Sequence, residues 1–210
     1  MIKIEDVCKS YKDKKVLDHV NFEMEKGKIY GIIGRNGSGK TVLMKCLCGF
    51  VCPDSGRIEV DGREIGKDAD FIQNAGIIIE TPGFIPYYTG KKNLANLASI
   101  RGKIGKAEIC EALETVGLDV NDHTKVGKYS LGMRQRLGIA QAIMENPDIL
   151  VLDEPMNGLD KDGVEDMREL FLKLKEQGKT MLIASHNAED IDILCDHVWE
   201  MDKGVATKVR

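Results

Sequence analysis

The segment "GRNGSGKT" at residues 34–41 constrains the fold more than any other stretch, because it matches G-x-x-x-x-G-K-[ST] in full. A chance match in a chain of 210 residues is on the order of one percent. Its setting agrees: the apolar run "KIYGII" precedes it and "VLMKCLCG" follows, which reads as a buried strand, a glycine turn and a helix. Such a turn points successive backbone N–H groups at an anion on the helix N-terminus. Gly34, Gly37 and Gly39 let the backbone close on phosphates, and Arg35, Asn36 and Ser38 complete the nest between them. Lys40 adds a point charge for the β- and γ-oxygens, and the Thr41 hydroxyl suits Mg²⁺.

Around this loop the chain alternates strand and helix patterns. Val20, Phe22 and Met24 alternate with polar residues at strand period, and "RIEVDGREI" predicts a hairpin turning at Asp61-Gly62. From residue 81 to 146 the period becomes helical, with Leu94, Leu97 and Ala98, then Ile109, Ala112, Leu113 and Val116. Beyond Pro147 come the strand "DILVLDE", an amphipathic helix from Val164 to Leu174, the strand "TMLIASH" and the short helix "NAEDIDILC". This order predicts an α/β fold: a P-loop NTPase core with a mainly parallel sheet, an antiparallel β subdomain, and an inserted helical subdomain over residues 81–146. The whole of 1–210 reads as one domain.

Composition narrows the partners. A net charge of -4 with mixed signs and no basic face excludes a dominant nucleic-acid surface. No apolar run reaches the length of a membrane span, so the sequence predicts a soluble chain in the cytosol. The six cysteines, Cys8, Cys46, Cys48, Cys52, Cys110 and Cys195, form no CxxC pair. They read as small reduced hydrophobes rather than a metal site, and His19, His123 and His197 read as structural.

Three further features concern chemistry. "ILVLDEP" at residues 149–155 puts Asp153 and Glu154 at the end of a buried parallel strand, at the sheet edge where the phosphate loop emerges. Asp153 suits Mg²⁺ and its waters, and Glu154 suits polarising a water for attack on a γ-phosphate. His186 ends "TMLIASH" and arrives at the same edge. "YSLGMRQRLGIAQAI" opens with Ser130, a good N-cap, but carries Gly132, a poor helix residue, so it offers unfilled N–H groups to an anion. Nothing beside it in the chain supplies one.

In this order, these motifs resemble the ATP-binding cassette (ABC) ATPase family over essentially the whole chain. "YSLGMRQRLGIA" resembles the family's signature segment, "NGLD" at residues 157–160 its D-loop, His186 its switch histidine and Tyr11 its adenine-stacking aromatic. The resemblance implies a Mg²⁺-dependent ATPase that pairs, as a homodimer or heterodimer, head to tail with a second nucleotide-binding domain. Ser130 and Gly132, with Asp160 of the D-loop, then contact ATP held by the partner's phosphate loop. It further implies transmembrane permease subunits as partners, a peripheral position on the cytoplasmic face of the membrane, and no nucleic acid. Two residues depart from the usual pattern: Met133 stands where the signature L-S-G-G-Q has glutamine, and Glu80 stands where most members carry the Q-loop glutamine that reaches Mg²⁺ and the attacking water. Glu80 can do both jobs while adding negative charge. With "IIIETPGFIPYYTGKKNL", these departures resemble the exporters of lantibiotic immunity and bacitracin resistance; a soluble, non-transport ABC ATPase is the alternative. The apolar segment after Glu80, Phe84, Ile85, Pro86, Tyr87 and Tyr88, reads either as a piece of core joining two lobes or, in the exporter reading, as a segment part of which lines a groove that receives a membrane partner.

Overall fold

The computed structural model describes residues 1–210. Its strand β3 (Ile29–Ile33) is the apolar run that leads into the phosphate loop, and it lies inside a six-stranded sheet. The order there is β10 (Val205–Lys208), β9 (His197–Asp202), β3, β8 (Thr180–Ala184), β7 (Ile149–Asp153) and β6 (Ala75–Ile78). All neighbours run parallel except β10, which pairs antiparallel with β9 at the edge.

Alternation along these strands divides the interior. Tyr30, Ile32, Ile149, Val151, Leu182 and Ala184 face one hydrophobic core, while Ile29, Leu150, Leu152, Met181 and Ile183 face another. The first core is closed by helix α1 (Lys40–Cys48) and by a four-stranded antiparallel sheet. That sheet has the order β2 (Lys14–Met24), β1 (Ile2–Tyr11), β4 (Ser55–Val60), β5 (Arg63–Glu64). Val20, Phe22 and Met24 are buried in it, as their spacing predicts. The β4–β5 connection is Asp61-Gly62, with φ of 49° and 81°, the two left-handed residues of a hairpin turn whose twist suits its strands.

The second core takes in the helical stretch between β6 and β7. Here α2 (Gly90–Arg101), α3 (Lys106–Thr115) and α4 (Leu131–Ile143) bury Leu94, Ala98, Ile109, Ala112, Leu113 and Leu137. Each fully buried Leu or Ile contributes about 2 kcal/mol relative to exposure. Arg136 on α4 ties the layers: its guanidinium donates to the Val116 carbonyl after α3 at 2.6 Å and to Asp166 at 2.9 Å on α5 (Lys161–Glu176). Helix α6 (Ala188–Leu194) completes the chain's β-α-β succession. No helix is long and apolar enough to cross a membrane.

One expectation about placement needs refining. The loop strand β3 and the carboxylate strand β7 are not neighbours; β8 lies between them. The three strands discharge at one edge nonetheless, because all run parallel.

Candidate active site

The phosphate loop folds as its glycines require. Gly34 and Gly39 have φ of 142° and 113°, and a Cβ on either would meet backbone, 2.2 Å from the Met201 carbonyl oxygen and 2.7 Å from that of Val16. Gly39 is the residue preceding α1, so the loop ends on the helix's free N–H groups. Lys40 is buried, at 7% exposure, and its ammonium donates to the carbonyl oxygens of Gly34 at 2.6 Å and Arg35 at 3.3 Å and pairs with no carboxylate. Ser38 Oγ is buried without a hydrogen-bond partner. An uncompensated cation and an orphaned hydroxyl in one glycine cradle fit a polyphosphate.

Across the loop, Thr41 Oγ1 donates to Asp153 Oδ2 at 2.7 Å. A hydroxyl and a carboxylate converging at one point are the hard-oxygen donor set that Mg²⁺ takes. Glu154 follows with φ of 50°, a strained left-handed position for a residue with a Cβ. Its N–H is held by the Ala184 carbonyl at 2.9 Å, and its Oε2 lies 2.8 Å from His186 Nδ1. A carboxylate only accepts, so Nδ1 carries the proton. Strands β7 and β8 thus deliver Glu154 and His186 side by side, as their common edge predicts.

A cavity of about 450 Å³ joins the phosphate loop to the two carboxylates, lined among others by Asn36, Gly37, Gly39, Lys40, Thr41, Glu80, Asp153 and Glu154. Lys14 and Val16 of β2 reach it, whereas Tyr11, 48% exposed at the end of β1, is not among its walls. Gly34, Arg35 and His186 line the adjoining cleft behind the loop. Ser130, Gly132 and Asp160 line neither; they share a separate cleft with Gly158 and Met133. Ser130 Oγ accepts from the Met133 N–H at 3.1 Å, and Asp160 Oδ1 from the Gly163 N–H at 3.0 Å, so both are N-caps. A Cβ on Gly132 would lie 3.1 Å from the Gly158 carbonyl oxygen, which shows how closely α4 approaches the D-loop.

Glu80 stands two residues beyond the end of β6, with φ of 61°, and its Oε1 accepts from Lys45 Nζ of α1 at 2.7 Å. Sequence reasoning missed Lys45, which carries no motif. It also missed Gln135, a buried residue of α4 whose amide donates to the carbonyl oxygens of Pro155 at 2.8 Å and Glu154 at 3.3 Å. Gln135 therefore fixes the backbone that presents Glu154; only its place five residues after Ser130 in the signature stretch hints at this.

Fold and site together define a phosphate-loop ATPase that takes ATP with Mg²⁺. The ABC transporter family profile matches residues 17–157, and the chain belongs to that family. It is 44% identical to the bacitracin transport ATP-binding protein BcrA of Bacillus licheniformis, over 97% of this chain and 67% of that protein. It is 39% identical to the lantibiotic transport ATP-binding protein SrtF of Streptococcus pyogenes, over 97% of this chain and 88% of that one. Among solved structures it superimposes on a dimeric bacterial ABC transporter cassette with a TM-score of 0.89 and 25% identity, covering 100% of this chain and 99% of the other. ATPases of this family pair as nucleotide-binding dimers and serve membrane permeases.

Proposed function

We propose that this chain is the ATP-hydrolysing subunit of an exporter that moves a bacitracin-like or lantibiotic peptide. In this reading it pairs on ATP with a second cassette and passes opening and closing to permease subunits at the cytoplasmic face of the membrane. The likeness to bacitracin and lantibiotic transport proteins supports the cargo class. The single observation that supports the catalytic assignment is the 2.8 Å contact between Glu154 and His186 beside the Thr41–Asp153 pair.

The roles follow from that arrangement. Lys40 and the amides of Gly34, Arg35, Asn36, Gly37, Ser38 and Gly39 hold the β- and γ-phosphates and stabilise charge on the transferring group. Thr41 and Asp153, with Glu80, would hold Mg²⁺, and the ion would supply charge neutralisation on the phosphate oxygens. Glu154 accepts the proton of the attacking water, and His186 keeps that carboxylate turned toward it and contacts the γ-phosphate. Gln135 and the Ala184 carbonyl fix the Glu154 backbone. Tyr11, exposed at the end of β1 beside the Lys14 and Val16 that line the cavity, is the aromatic assigned to stack on adenine. Ser130, Gly132 and Asp160 act on nucleotide held by the partner cassette, which is consistent with their lying in a cleft apart from this chain's own phosphate loop.

The test is Glu154→Gln. ATP binding stays intact, phosphate release at saturating Mg-ATP falls by at least about 100-fold, and an ATP-dependent dimer accumulates on gel filtration. Turnover at the wild-type rate removes Glu154 from the role. The exporter reading is tested separately by capture from a detergent extract, which should bring down polytopic membrane subunits with the chain.

A further inference from the structure

Cys8, unlike the other cysteines, meets a histidine and a carboxylate in the structure. Strands β1 and β2 slip register between Val7↔Val20 and Lys9↔Leu17, and the resulting bulge brings Cys8, Asp18 and His19 together. The ligand atoms of these three lie within 4.8 Å of one another. The backbone is bent to achieve this: Asp6 and His19 have φ of 53° and 49°, costly conformations for residues with a Cβ. Asn21 staples the bend, its Oδ1 accepting from the Asp6 N–H at 3.0 Å and its amide donating to the His19 carbonyl at 2.9 Å.

The side chains are prepared as ligands are. His19 Nδ1 lies 2.6 Å from Asp6 Oδ1. Because the carboxylate can only accept, Nδ1 holds the proton, and in the neutral ring Nε2 keeps its lone pair. Nε2 is the atom that faces Asp18 Oδ1, at 3.8 Å. A histidine oriented through one nitrogen by an acid, with the other nitrogen free, is held as metal-bound imidazoles usually are. The His19 N–H also donates to Cys8 Sγ at 3.2 Å, which stabilises sulfur bearing negative charge. Asp18 Oδ1 is held at 2.8 Å by Lys15, an exposed side chain.

We infer that Cys8, Asp18 and His19 form a surface site for Zn²⁺, with Asp6 as the positioning residue for His19. Sulfur, imidazole and carboxylate together select zinc over Mg²⁺ or Ca²⁺, and three protein ligands leave the fourth tetrahedral position to solvent. The site lies on the hairpin that carries Tyr11 and Lys14, outside the ATP cavity.

Cobalt tests this on the full chain, because the ATP site contains no thiol and cannot produce a thiolate-to-cobalt charge-transfer band. Titration of the reduced, chelator-treated protein with Co²⁺ should develop that band at one equivalent, and Zn²⁺ should abolish it by displacement. Cys8→Ser should remove the band. His19→Asn, which tolerates the left-handed backbone, should weaken binding at least about tenfold, and Asp6→Asn about tenfold. Cys52→Ser, at the exposed cysteine, should change nothing. Bound Zn²⁺ should also protect Cys8, but not Cys52, from alkylation as read by mass spectrometry. A band that survives Cys8→Ser, affinity unchanged in His19→Asn, or no saturable thiolate band in the wild type each overturns the site.

Discussion

Glu80 carries a full negative charge at the wall of a cavity that is to hold a polyphosphate, and the Lys45 ammonium lies 2.7 Å from it. The pair explains how a carboxylate is tolerated where the usual glutamine brings no charge. Both groups keep contact with solvent, so their coupling is screened, yet repulsion toward the nucleotide returns when the lysine is lost. Lys45→Met is therefore expected to raise the KM for Mg-ATP about threefold to tenfold at low salt. The effect should shrink as ionic strength rises, and the double variant Lys45→Met with Glu80→Gln should recover wild-type KM. Steady-state kinetics across a salt series check this; a KM indifferent to Lys45→Met would falsify the compensation.

Elements meet at joints whose pairing the motifs do not reveal. The Leu131 side chain at the start of α4 packs on Gly158 of the D-loop so closely that a Cβ there would lie 2.4 Å from Leu131 Cδ2. Gly158→Ala is expected to cost about 2 kcal/mol and lower Tm by several degrees, through this clash and the φ of +80°. Leu131→Ala should restore part of the loss, and a double-mutant cycle by thermal melts measures the coupling; strictly additive losses would remove the joint. A second joint lies under β3. Asp196 accepts from the Ile29 N–H at 2.9 Å and from Lys175 of α5 at 2.5 Å. Burial alone raises its pKa, but these two donors outweigh it and leave it below the ordinary aspartate value. A lowered folded-state pKa gives stability that is fully present above the unfolded value of about 3.9 and is lost as pH falls through the folded one. Asp196→Asn should thus melt several degrees below wild type at neutral pH, with the two curves converging only as pH falls below the ordinary aspartate range. The elements themselves were legible, because the phosphate loop, the helical period around Leu94 and Ile109, and the Asp61-Gly62 turn are all local in sequence. Strand order was not, nor was the Glu80–Lys45 pair or the bulge that brings Cys8 to His19. Each depends on register between distant segments, and periodicity carries no register.

At the scale of the whole molecule, the cradle around Lys40 and the helix tip at Ser130 and Gly132 open into different clefts. Leu131 forms a wall common to both clefts, yet a chain with the two halves of a grip in separate clefts completes neither site by itself if the tip serves a partner. This arrangement can be tested by complementation. Lys40→Ala disables the cradle and Ser130→Arg the tip, so a homodimer of either variant has no competent site. In a mixed dimer both defects fall in the same composite site, and the other site combines an intact cradle with an intact tip. With random exchange about half of the pairs are mixed, and each has one of two sites whole. If the sites turn over independently, hydrolysis should return to about a quarter of wild type, simply by mixing two inactive proteins. A tip that worked on its own chain's nucleotide gives no recovery, since every chain in the mixture carries a lesion. The same mixture, with a donor dye on one variant and an acceptor on the other, reports pairing by energy transfer, which separates a failure to exchange subunits from a failure of the shared site. Recovery with pairing locates the nucleotide between two copies, and pairing without recovery confines each site to one chain.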